Sequence, residues 1–160
     1  MSRLIIIMGV SGCGKSTLGQ ALADRTGLAF LEGDAFHPEA NVEKMSQGIA
    51  LDNDDRKGWI ENIVRAVTRL GEGDKILACS ALNPVVRGYL AETPGHALVW
   101  VFLKISQSDA IQRVSSRSTH FMPSSLVASQ FEALTPPDTA LVLDATSPLD
   151  SLVDTVRSKL

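Results

Sequence analysis

The stretch Gly9-Val10-Ser11-Gly12-Cys13-Gly14-Lys15-Ser16 fits G-x-x-x-x-G-K-[ST]. It constrains the chain more than any other feature, because the pattern works only where a buried strand feeds a loop that opens a helix. Both neighbours fit. The apolar run Leu4-Ile5-Ile6-Ile7-Met8 precedes it and reads as a buried parallel strand. A helical pattern, Ser16-Thr17-Leu18-Gly19-Gln20-Ala21-Leu22-Ala23, follows it. Glycines let such a backbone curl until several N–H groups converge on an anion, and the helix start adds partial positive charge. Gly9, Ser11, Gly12, Cys13, Gly14, Lys15, Ser16 and Thr17 are therefore the expected phosphate-binding set.

The 160 residues suffice for one domain with one good core, expected over 1–160. At 44% apolar residues the chain is globular. Its net charge of −3, with no basic block, argues against a nucleic-acid surface; nucleotide phosphates need only a local group of cations. Cys13 and Cys79 show no zinc spacing, which suits a reducing, cytoplasmic setting without disulfides. The apolar start is too short for a membrane span and lacks a signal-peptide layout.

Beyond the loop, strands alternate with helices, the mark of an α/β fold with a parallel sheet. Strands are expected near residues 3–8, 28–31, 75–79, 97–103 (taken as central) and 141–144. Helices are expected near 15–25, 39–47, 55–70, 84–92, 109–116 and 124–134, with a last one from 148 that takes Ser147 as N-cap and Pro148 as its first residue. In open α/β sheets ligands bind beyond the carboxyl ends of the strands. Asp34 and His37 follow the second strand and Ser80 follows the third. Their alternative is an ordinary turn with a capping Asp and Pro38 at a helix start. The spacing of Arg113 and Arg117 lets both project from one helix face. The whole describes a P-loop NTPase fold of nucleoside-monophosphate-kinase-like type: about five parallel strands flanked by helices, with a lid over about residues 106–134.

The motif set narrows the chemistry. A guanine-specific GTPase should carry N-K-x-D, and none is present. Asp55-Arg56-Lys57-Gly58 matches D-x-x-G, but it precedes a helix where a switch loop should follow a strand. A motor ATPase needs an acidic residue closing an apolar strand, whereas the third strand closes with Cys79-Ser80. A small-molecule kinase using ATP and Mg²⁺ fits better. Phosphoryl transfer is mostly positioning and charge stabilisation. Lys15 reaches the β- and γ-phosphates, the Ser16 hydroxyl takes a Mg²⁺ position, and Asp34 orients a hydroxyl acceptor and takes its proton. Arg113 and Arg117 supply further cations when the lid closes and excludes water.

Several segments together resemble the gluconate kinase (gluconokinase) family. They are the phosphate loop, Gly33-Asp34-Ala35-Phe36-His37-Pro38, Asn41 with Lys44-Met45, and Gly48. Leu51, Asp54-Asp55-Arg56, Trp59, Cys79-Ser80-Ala81-Leu82, Arg87, Arg113, Arg117, His120-Phe121 and Ser129-Gln130-Phe131 continue the match. The resemblance implies ATP-dependent phosphorylation of D-gluconate at its 6-hydroxyl. It adds His37, Lys44, Arg56, Ser80, Arg87, His120 and Gln130 to Asp34 as substrate residues, with Arg56 and Arg87 as candidates for the carboxylate. By analogy with similar kinases, the adenine lies between Arg113 and the loop at Thr146-Ser147-Pro148. A homodimer is also implied. The chain departs from the family pattern at Ala50 and Gly58 (both usually Pro), Asn53 (usually an acid), Asn83 (usually Lys), Thr119 (usually Gly) and Thr135 (usually Glu). A kinase for a related sugar acid or polyol, and a nucleotide-binding regulatory protein without transfer, are the other readings.

Overall fold

The computed structural model describes residues 1–116 and 125–160. Five parallel strands form one sheet: β1 (Ser2–Met8), β2 (Ala29–Glu32), β3 (Lys75–Ala78), β4 (His96–Lys104) and β5 (Leu141–Asp144), in the order β2-β3-β1-β4-β5. The middle strand is β1, not β4 as its long apolar run predicts. β1 has partners on both sides, Ile5 opposite Ile76 of β3 and opposite Val99 of β4. The chain runs from β1 towards one edge and later crosses to the other, so the loop after β1 sits where the strand order reverses.

Alternation along β1 divides the core in two. Ile5 and Ile7 face α1 (Lys15–Thr26), α5 (Gln107–Ser115) and α7 (Leu149–Lys159), meeting Leu18, Leu22, Val114, Val153 and Val156. Leu4, Ile6 and Met8 face α3 (Asn53–Arg69) and α4 (Pro84–Leu90), meeting Trp59, Ile60, Ile63, Val67, Val86 and Leu90. These five apolar residues of β1 are fully buried. At roughly 1.5–3 kcal/mol for each large apolar side chain buried, this strand is the strongest single anchor of the sheet. The site-forming loops therefore hang from a rigid centre.

Local signals explain most element ends. Gly27, in the left-handed region at φ 75°, closes α1. Asn83 caps α4 by accepting the Val86 N–H at 3.0 Å, with Pro84 at the first position. α3 starts two residues earlier than its charge run predicts. Asp52 accepts the Asp55 N–H at 2.8 Å and Asp55 returns the contact to the Asp52 N–H at 3.1 Å, a capping box that draws Asn53 and Asp54 into the helix. Ser147 does not cap α7. Pro148 holds that place without a side-chain bond, and Ser147 belongs to a turn built by Asp144, whose carboxylate takes the Thr146 N–H and hydroxyl. No helix among the described residues is long and apolar enough to cross a membrane.

Candidate active site

The phosphate loop curls between β1 and α1 through three glycines with positive φ: Gly9 at 148°, Gly12 at 87° and Gly14 at 99°. A side chain on Gly9 would meet Cys13 Sγ at 2.7 Å and the Leu103 carbonyl at 2.9 Å. Gly9 thus holds the loop against the sheet from beneath rather than facing the cradle. The cradle is a cavity of about 270 Å³ lined by Ser11, Gly12, Gly14, Lys15, Ser16, Thr17 and Asp34. Lys15 Nζ rests on the loop's own Val10 carbonyl at 3.0 Å.

Asp34 enters that cradle because of the short 3₁₀ turn Gly33–Phe36 that ends β2. Gly33 is required there: a Cβ would strike the Ala78 carbonyl of β3. The Gly33 carbonyl in turn accepts the Trp59 indole N–H at 2.8 Å. The turn is thereby fixed to β3 on one side and to α3 on the other.

A second cavity, of about 90 Å³, shares Ser11, Lys15 and Asp34 with the cradle and adds His37, Arg56, Trp59, Ser80 and Gln130. Five of the eight acceptor residues expected from sequence thus gather here. Burial lowers the Arg56 pKa, while Asp52 and Asp55 oppose the change, and the guanidinium keeps Asn53 Oδ1 at 3.3 Å. His37 stacks on Trp59, and burial pulls its pKa down to about 4 against the attraction of Asp34. Gln130, on α6 (Ser125–Ala133), accepts the Ser11 N–H at 2.6 Å and so joins that helix to the phosphate loop. Ser80 and Ala81 turn the chain out of β3, with Ala81 at φ 44°, a left-handed conformation costly for a residue with a side chain. Ala81 is fully buried and its carbonyl takes Arg87 Nη1 at 3.0 Å. The free thiol of Cys79 beside it is pushed up to about 12 by burial, so it packs as an apolar group.

Two of the other expected acceptor residues, Lys44 and Arg87, do not line this cavity. Lys44 pairs with Asp55 at 2.8 Å, tying α2 (Glu39–Ser46) to the start of α3. Arg87 donates Nη1–H to the Ala81 carbonyl and does not line the cavity, whereas Arg56 does, which favours Arg56 as the carboxylate candidate of the two arginines. His120, like Arg117, lies outside the described residues. Arg113 stands on the far side of the phosphate loop. Its guanidinium donates to the carbonyls of Gly12 at 3.1 Å, Cys13 at 3.3 Å and Ala145 at 3.2 Å. There it lines a third cavity, of about 180 Å³, with Cys13, Thr17, Leu103 and Ser147, the place expected for adenine. Pro148 is not among its lining residues.

Sequence reasoning passed over Glu32. The carboxylate of this last residue of β2 accepts a hydrogen bond from the Ser16 hydroxyl. A hydroxyl and a carboxylate are hard oxygen donors of the kind Mg²⁺ takes beside nucleotide phosphates, so Ser16 and Glu32 fit such an ion. No larger His, Cys, Asp and Glu cluster suited to a metal occurs among the described residues. The signal was an acid closing a strand immediately before Gly33-Asp34. The two asparagines that depart from the family pattern meet each other, Asn83 Nδ2 donating to Asn53 Oδ1 at 3.3 Å.

The family model for shikimate kinase matches residues 11–134. A gluconokinase of Gluconobacter oxydans is 42% identical over 140 residues, covering 84% of this chain and 76% of that protein. The thermoresistant gluconokinase of Escherichia coli is 36% identical over 157 residues, covering 94% and 89%. Among solved structures, a gluconokinase from Sinorhizobium meliloti 1021 superposes with a TM-score of 0.82 at 41% identity, covering 95% of this chain and 87% of that one. With a phosphate loop, an acid-and-imidazole cavity beside it and relatives of this similarity over most of its length, the chain belongs to the gluconokinase family of P-loop kinases.

Proposed function

We propose that the protein transfers the terminal phosphoryl group of ATP to the 6-hydroxyl of D-gluconate, giving 6-phospho-D-gluconate and ADP. The observation that carries this is the shared wall of Ser11, Lys15 and Asp34 between a phosphate cradle and an acceptor cavity. A carboxylate in that wall can orient the acceptor hydroxyl and take its proton as the bond to phosphorus forms. Lys15 balances charge on the phosphates. Arg56 meets the gluconate carboxylate, while His37, Ser80 and Gln130 hold its hydroxyls. Arg113 serves the nucleotide end, and Arg117, four residues on in sequence, is assigned to the phosphoryl charge. His120 is assigned to the acceptor from the family resemblance. Ser16 and Glu32 would hold Mg²⁺, which would supply positive charge to the transferring group. We propose further that the protein works in the cytoplasm as a homodimer.

A coupled ADP-release assay across gluconate, other aldonates, shikimate and nucleoside monophosphates tests the acceptor. Gluconate is expected to give the highest kcat/KM, and absence of that preference overturns the assignment. Titrating Mg²⁺ in the same assay, and measuring mass in solution by light scattering, test the metal and the dimer.

A further inference from the structure

His37 stands in the acceptor cavity with its ring plane fixed. It stacks on Trp59 with centroids 4.1 Å apart and planes 17° apart. Trp59 is held in turn by its bond to the Gly33 carbonyl. What remains open is which ring nitrogen carries the proton, and Asn41 decides it. Asn41 lies on α2 and is only 3% exposed. Its amide nitrogen donates to the main-chain carbonyl of Asp55 at 2.9 Å. A carbonyl can only accept, so this contact identifies the nitrogen end of the amide. The same nitrogen lies 3.4 Å from His37 Nδ1. A donor facing Nδ1 requires a lone pair there, and a neutral imidazole then carries its proton on Nε2. The ring is neutral at neutral pH because burial outweighs the attraction of Asp34, with Arg56 adding to the effect. Nε2 lies 3.9 Å from Asp34 Oδ1. That is too far for a direct hydrogen bond, so its N–H is offered to the space beside the carboxylate.

We infer that Asn41 is a positioning residue for phosphoryl transfer: it keeps the His37 proton on Nε2, where it faces Asp34 and the acceptor cavity. With the proton on Nδ1, a lone pair would point at the Asp34 carboxylate, and the cavity would lose a donor suited to a hydroxyl-rich acceptor. The groups around the ring are Asp34 from the 3₁₀ turn, Arg56 and Trp59 from α3, and Asn41 from α2. The inference rests on reading this cavity as the acceptor site.

Long-range ¹H–¹⁵N correlation on the full-length protein, labelled at histidine and free of ligands, tests it directly, with His37→Gln identifying the resonances. The Nε2–H form is expected at neutral pH; an Nδ1–H or doubly protonated ring overturns the inference. Asn41→Asp sets an acceptor against Nδ1. It is expected to move the proton to Nδ1 or to charge the ring, and to lower kcat/KM for gluconate roughly 10-fold with ADP affinity retained. A variant with reduced turnover and an unchanged tautomer also overturns it, since Asn41 would then act only through packing. Wild-type protein with the Nε2–H ring but no turnover of gluconate would refute the substrate reading while leaving the tautomer assignment intact.

Discussion

Replacing Asp34 by asparagine keeps the side chain's size and its place between the two cavities but removes the carboxylate proposed as proton acceptor. Asp34→Asn is expected to lower kcat by about 10²–10⁴-fold and to leave ADP binding by calorimetry close to wild type. Retained turnover would remove Asp34 from the role of base. Asn83 carries a different kind of weight. The family pattern has Lys there and an acid at residue 53, so loss of the Lys alone would read as loss of a pocket cation. Instead the two asparagines face each other across α3 and α4, the changes offset in charge, and Asn83 also caps α4. Asn83→Ala is expected to cost about 1 kcal/mol in urea unfolding, chiefly through the lost cap. The cost of Asn53→Ala should be smaller, since it surrenders only exposed contacts.

Among the elements, α6 does what its sequence could not announce. Its apolar residues predict a packed helix, and Leu126 and Val127 are buried. Its Gln130, however, reaches 119 residues back to the Ser11 N–H, while Thr135 beyond its end donates its own N–H to the Leu82 carbonyl at 2.8 Å. Gln130→Leu removes the link between α6 and the phosphate loop. KM for gluconate is expected to rise about 5-fold in steady-state assays, with ADP affinity held. Strand and helix identities were legible because local patterns decide them: five apolar runs, Asn83-Pro84, Thr26-Gly27. The phosphate loop and the acid after β2 were legible because motif and fold position coincide. Partners chosen by tertiary packing were not. Nothing local tells that Lys44 turns to Asp55, that Arg87 holds the Ala81 carbonyl, that Arg113 grips the outer side of the loop, or that Glu32 meets Ser16. The long apolar run of β4 also misled, because a length of apolar sequence reports burial and not order within the sheet.

At the scale of the whole molecule, the loss of stability in mild acid should trace largely to one ring. Unfolded His37 titrates near 6.5, folded His37 near 4. Between those values the unfolded chain binds the extra proton. Stability is therefore whole above about pH 6.5 and declines as pH falls towards 4, by about 3 kcal/mol at most. Urea unfolding across this range is expected to show the decline, and His37→Phe, which keeps the stack on Trp59, to flatten it. Asp55 and Asp74 are held below the ordinary carboxylate range by Lys44 and Arg3. Their contributions are present above the unfolded carboxylate pKa and fade only as pH falls below it, so they leave the His37 window clear.

The wall of Ser11, Lys15 and Asp34 has a consequence for inhibition. Because the phosphate cradle and the cavity proposed for the acceptor share Ser11, Lys15 and Asp34, a single molecule joining an adenosine polyphosphate to an aldonate through its terminal phosphate should need almost no linker to fill both. Joined in this way, each half raises the effective concentration of the other. Such a two-headed ligand should hold this kinase far more tightly than either parent compound, while enzymes that share only its phosphate loop would engage half of it.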